Sequence, residues 1–168
     1  GPEDGAKDFE LHGMCAEVKA RRGAARPQVQ VSSEDQLADV ADAQVFLVVY
    51  DVDAAVKPEG MTLTDHVQVV EDIYRSATMS AYGTWERLLA ATGFDWQHDY
   101  SDRRWTVGKR AVFRVEEGFP RIPVPVAMGV LNVRYSVALD ACAAFVVEDE
   151  ELLTVFAQTQ SVRSTKEG

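Results

Sequence analysis

The chain has 168 residues, 46% of them hydrophobic and 26% charged, with a formal net charge of −10 and a pI near 4.7. This is the composition of one globular domain, or of a domain with an appendage. It excludes an intrinsically disordered chain, and it excludes a protein that coats nucleic acid by charge alone, which needs clustered Lys and Arg. The longest apolar run, 45–50 (VFLVVY), falls far short of the roughly 20 residues of a membrane span. No basic-then-apolar leader opens the sequence, so the expected compartment is the cytoplasm. Cys15 and Cys142 stand alone, which suggests neither a zinc module nor a disulfide scaffold, and His12, His66 and His98 show no ligand spacing.

The charge is regional. Residues 1–33 carry five acids and five bases, whereas 34–72 carry ten acids against Lys57 alone. Residues 73–147 carry seven acids and nine bases, and the last 21 residues add five acids and two bases. A basic cluster of Arg103, Arg104, Lys109, Arg110 and Arg114 surrounds Trp105 in the positive stretch.

Taken in chain order, 7–11 (KDFEL) and 14–19 (MCAEVK) alternate polar and apolar residues around His12-Gly13, which predicts a β-hairpin. A flexible Arg/Gly/Ala stretch, 20–26, leads to a short strand at 28–31. Ser33 with Gln36 three residues later matches a capping box and predicts a helix to about Asp42. The run 45–52 (VFLVVYDV) reads as a buried strand. Thr64 is placed to cap a helix whose apolar positions Val67, Val70, Ile73, Tyr74 and Ala77 have core spacing. A second helix over 81–91 ends at Gly93. Strand patterns return at 105–115 and 133–139, with an extended, polyproline-like 118–125 between them. A last amphipathic helix covers 149–158, and the tail frays from Gln160. There is no internal repeat.

A tight turn at His12-Gly13 pairs residues whose numbers sum to 25. Phe9, Leu11, Met14, Ala16 and Val18 then share an apolar core face, and Asp8, Glu10, Cys15, Glu17 and Lys19 share the other. Asp8 and Glu17 become directly opposed, with Cβ atoms about 5 Å apart, which is destabilising for like charges. A divalent cation between them relieves the repulsion, and hard oxygen ligands suit Mg²⁺ or Mn²⁺. Lys19, on the same face, is placed to orient water and steady a developing phosphate charge. The competing reading is a solvated hairpin face with scattered charges.

Asp8, Glu17, Val18 and Lys19 also match the motif of the PD-(D/E)XK phosphodiesterase superfamily, and the chain resembles one bacterial subfamily of it. The resemblance runs through Gly1-Pro2 and Lys7-Asp8-Phe9, Ala16–Lys19, 31–37 (VSSEDQL), 118–122 (GFPRI), 133–137 (VRYSV) and 141–145 (ACAAF). Lys7 stands where the superfamily often has Pro. Members also have a helix and strand before the Asp-bearing strand, the helix often adding an acidic residue, so the chain is expected to be an N-terminally truncated part of a longer protein.

The resemblance implies an α/β fold: a mixed-sheet, restriction-endonuclease-like core over 1–78, a family-specific α+β region over 79–147, and a terminal helix and tail over 148–168. It also implies metal-dependent hydrolysis of DNA. Asp8 and Glu17, helped by the Val18 carbonyl, would bind Mg²⁺ or Mn²⁺, Lys19 would serve the attacking water, and Gln36 would touch the nucleophile or backbone. Closing the capping box with Ser33 is an equally good role for Gln36. Arg103, Arg104, Trp105, Lys109 and Arg110 are candidate DNA contacts, against the plainer reading of a solvated strand face with Trp105 in the core. By analogy of fold the setting is bacterial phage defence, with protein partners. The alternative is a non-catalytic scaffold or DNA-binding subunit of a defence complex that keeps the nuclease fold.

Overall fold

The computed structural model describes residues 5–11 and 13–166, with side chains through 158; His12, Gly1 and Pro2 lie outside the described residues. The strands are β1 (Phe9–Leu11), β2 (Met14–Arg21), β3 (Gln28–Val31), β4 (Gln44–Ala55), β5 (Arg104–Val115), β6 (Tyr135–Ala138) and β7 (Val146–Val147). The helices are α1 (Leu63–Arg75), α2 (Met79–Ala91) and α3 (Asp149–Lys166). The fold is α/β with a mixed sheet. Two compact units divide the chain: Val52–Val107 forms one, and the described residues up to Asp51 and from Gly108 form the other.

In the unit formed by the described residues up to Asp51 and from Gly108, the sheet order is β1-β2-β4-β5-β7. The pairs β1–β2 and β5–β7 are antiparallel, and β2–β4 is parallel. Alternation along β2 and β4 sorts their side chains into two cores, because successive residues of a strand face opposite ways. Cys15, Val45, Leu47 and Val49 pack with Leu37 and the β3–β6 ribbon on one face. Met14, Ala16, Phe46 and Val48 pack against Val155 of α3 on the other. A strand covered on both sides reads as a continuous apolar run, as 45–49 does.

The hairpin has the predicted register, Phe9↔Ala16, Glu10↔Cys15 and Leu11↔Met14, with Gly13 at φ +79° in the turn. Its faces differ from expectation. Phe9 is 57% exposed, while Cys15 and Glu17 of the supposed polar face are buried. The three-residue β1 is a sheet edge, so its apolar side chains have little above them, whereas β2 is enclosed.

The helix predicted from Ser33 is one 3-10 turn, Glu34–Leu37, and the Ser33 side chain makes no capping bond. Arg121 is the physical reason. Its guanidinium takes the Leu37 carbonyl, which a further helical turn would need, and both carboxylate oxygens of Asp39 at 2.7 Å. At the other end α3 is helical to Lys166, beyond the predicted fraying point.

In the second unit α1 starts two residues early. Thr62, not Thr64, is the N-cap, and Thr62 with Asp65 forms the full capping box. The predicted core stripe of α1 is largely open: Val70, Ile73 and Tyr74 are exposed, and the buried residue of α1 is Glu71. Glu71 accepts hydrogen bonds from Gln68, Arg75 and the Tyr82 hydroxyl, so α1 and α2 are joined by a polar knot. The helix pair is completed by the stacked rings of Tyr74 and Trp85.

Candidate active site

The β1–β2 ladder ends at Phe9↔Ala16, one pair short of Asp8 and Glu17. Asp8 therefore does not sit as a ladder partner of Glu17. Its carboxylate instead accepts a hydrogen bond from the Val18 amide at 2.8 Å, taking a donor that the short edge strand leaves over. This ties Asp8 to the strand that carries Glu17 and Lys19.

Glu17 is 1% exposed on β2, which lies between the edge strand β1 and the central strand β4. Its Oε1 lies 2.6 Å from Lys19 Nζ, and its Oε2 is buried with no hydrogen-bond partner. Burial pushes the Glu17 carboxyl above its usual range, the Lys19 ammonium pulls it back in part, and the Asp8 carboxylate raises it further. Lys19 also donates to Gln36 Oε1 at 3.0 Å, and the same oxygen accepts from the Ser32 amide at 2.8 Å. Asp8, Glu17, Val18, Lys19 and Gln36 thus come together, with Gln36 serving Lys19 rather than a capping box.

Two participants escape sequence reasoning. Ser32 fixes the Gln36 side chain through its backbone, which no residue type signals. Lys7 is buried and donates to the Asp35 carbonyl at 2.7 Å, holding the turn that carries Gln36. Its sequence signal was only an odd residue beside Asp8.

The donor set fits a hard divalent cation. Two carboxylates repel each other, and one buried carboxylate oxygen lacks a partner, a costly condition that a cation removes. Among the described residues no group of three or more His, Cys, Asp or Glu side chains converges; the acidic side chains brought together here are Asp8 and Glu17.

The basic cluster is divided by the unit boundary and largely engaged. Arg104 donates to the carbonyls of Glu59 and Gly60, and half-buried Trp105 bridges to Met61 through its backbone. Arg110 pairs with Asp149 and Arg114 with Glu151. Arg103 is exposed, 3.8 Å from Asp102, and Lys109 is exposed. No helix among the described residues is long and apolar enough to cross a membrane.

No curated protein and no solved structure matches the chain. One family model does, over residues 1–140; it is DUF4420, described as "Putative PD-(D/E)XK family member". The chain belongs to this PD-(D/E)XK-related family.

Proposed function

We propose that the chain is a divalent-metal-dependent phosphodiesterase that hydrolyses DNA on a restriction-endonuclease-like core. The observation that carries this reading is Glu17, a carboxylate buried beside Asp8 and Lys19 with an unpartnered oxygen. Structural carboxylates are buried with their partners complete. An incomplete one next to a second carboxylate and a lysine is the arrangement of a ligand-binding centre.

Asp8, Glu17 and the Val18 carbonyl would hold Mg²⁺ or Mn²⁺. When bound, the cation supplies Lewis-acid chemistry, lowering the pKa of water and offsetting charge on the phosphoryl oxygens. Lys19 has a separate task. Its ammonium, steered by Gln36 Oε1, presents positive charge where negative charge grows in the transition state. Gln36 is held by the Ser32 amide, so Lys19 is oriented before substrate arrives. Phage defence is the setting suggested by fold analogy.

The test is cleavage of plasmid DNA with Mg²⁺ by Asp8→Asn and Lys19→Ala variants. Both are expected to lose cleavage, and undiminished cutting by both would overturn the assignment. Thermal unfolding with Mn²⁺ separates the scaffold alternative. A wild-type chain that binds DNA but gains no stability from metal is a scaffold, not an enzyme.

A further inference from the structure

We propose that the loop 21–26 (RRGAAR), which leaves the strand carrying Glu17 and Lys19, is a DNA phosphate-binding loop in which Arg22 and Arg26 make the contacts and Arg21 holds the shape. The inference rests on the reading of DNA as substrate and adds to it the surface that seats the strand.

Arg21 is the scaffold of this loop. It lies on the same face of β2 as Glu17 and Lys19, two residues beyond Lys19. Its guanidinium pairs with Asp51, its register partner on β4, and donates to the carbonyls of Gly23 at 3.1 Å and Ala25 at 2.7 Å. The Ala25 amide returns to the Arg22 carbonyl at 3.0 Å, closing a turn. A stretch with two Ala and one Gly would otherwise be free to move; here one half-buried side chain takes two of its carbonyls from within.

The consequence is that Arg22 and Arg26 are held outward. Both are exposed, and neither guanidinium makes an ion pair or hydrogen bond among the described residues. This sets them apart from Arg104, Arg110, Arg114 and Arg121, each committed to carbonyl or carboxylate oxygens of the chain. Strand geometry places Arg22 about 10 Å along the chain from Lys19, roughly three phosphates along the axis of one DNA strand. Two guanidinium groups on a fixed loop suit phosphate oxygens, which they bind by paired N–H groups. In a chain of net charge −10, such a loop supplies attraction locally, beside the chemistry, and nowhere needs a basic surface.

The experiment is fluorescence anisotropy of a short labelled DNA duplex with the full chain, in Ca²⁺ to hold back cleavage, over a series of salt concentrations. Arg22→Ala/Arg26→Ala should flatten the slope of log affinity against log salt by about 1.8, the loss of two phosphate contacts. Arg22→Lys/Arg26→Lys should keep most of the slope, and the melting temperature should stay at the wild-type value in both. Arg103→Ala/Lys109→Ala, which removes the same charge elsewhere, should leave the slope unchanged. An unaltered slope in Arg22→Ala/Arg26→Ala overturns the proposal whatever the cleavage assay shows. A wild-type chain that binds the duplex through these arginines yet does not cut refutes the catalytic reading alone. A chain without affinity for the duplex overturns both.

Discussion

Replacing Glu17 by Gln should make the metal-free protein more stable while abolishing its response to metal. Glu17 is 1% exposed, one carboxylate oxygen has no partner, and the neighbouring Asp8 repels it. Burial penalises the charged carboxylate, and a neutral amide removes both that penalty and the repulsion from Asp8. Against this stands the Lys19 contact, which Gln retains through its carbonyl oxygen without the charge. The net gain should be about 1 kcal/mol, or roughly 2–4 °C in Tm for a chain of this size. Because burial raises the folded-state pKa of Glu17, the fold prefers the protonated acid. Wild-type stability is therefore complete below the ordinary Glu value and falls as pH rises through the raised one. Gln has no proton to lose. The two proteins should melt alike in acid and diverge on the way to neutral pH, with Gln the more stable. Saturating Mn²⁺, at a hundred times its Kd, should add about 2.7 kcal/mol to the wild type and nothing to Glu17→Gln. Differential scanning fluorimetry across pH, with EDTA and with Mn²⁺, reads all of this. A metal-free Glu17→Gln that melts below the wild type at neutral pH would refute the reasoning, because Glu17 would then be a structural half of the Lys19 ion pair.

Three further outcomes test the account of the fold. Ser33→Ala should leave Tm unchanged because its side chain caps nothing, whereas Thr62→Ala should cost about 1 kcal/mol in thermal unfolding. Arg121→Ala should cost roughly 2–3 kcal/mol in denaturant unfolding, since it strips charged hydrogen bonds from Leu37 and Asp39. Cys142, buried with its thiol pushed up to about 11, and buried Cys15, whose pKa burial also raises, should resist a disulfide reagent at mildly alkaline pH until denaturant is added.

The register of the hairpin and the strand at 45–52 were legible because turn chemistry and alternation are local. The same locality explains the failures. Glu10 and Glu17 look alike as strand residues, but one lies on the exposed β1 edge and the other under two layers, and only the sheet order decides this. Ser33 and Gln36 have the spacing of a capping box, yet Lys19 and the Ser32 amide claim the Gln36 oxygen and Arg121 stops the helix from 84 residues away. Val70 and Ile73 keep helical spacing without becoming core, since a stripe records where apolar groups point and not whether anything covers them. The candidate site was readable as Asp8, Glu17 and Lys19. Its supporting contacts from Ser32 and Lys7 run through backbone atoms, which carry no residue signature.

The two carboxylates of the site come from strands of very different standing. Glu17 belongs to β2, walled in on both faces, whereas Asp8 directly precedes a three-residue edge strand and is held by one amide. Opening of that edge requires little of the core to move, so it should proceed far more often than global unfolding. On warming, the centre should come apart by losing Asp8 while β2 and its neighbours stay folded, and activity should fade below the melting temperature. In hydrogen exchange the Val18 amide, whose partner is Asp8, should trade its proton much faster than the amides of β4, and added metal should slow it. On the proposed function, the centre would then be assembled by its metal from a rigid half and a yielding half, with its loss on heating reversible as long as the sheet survives.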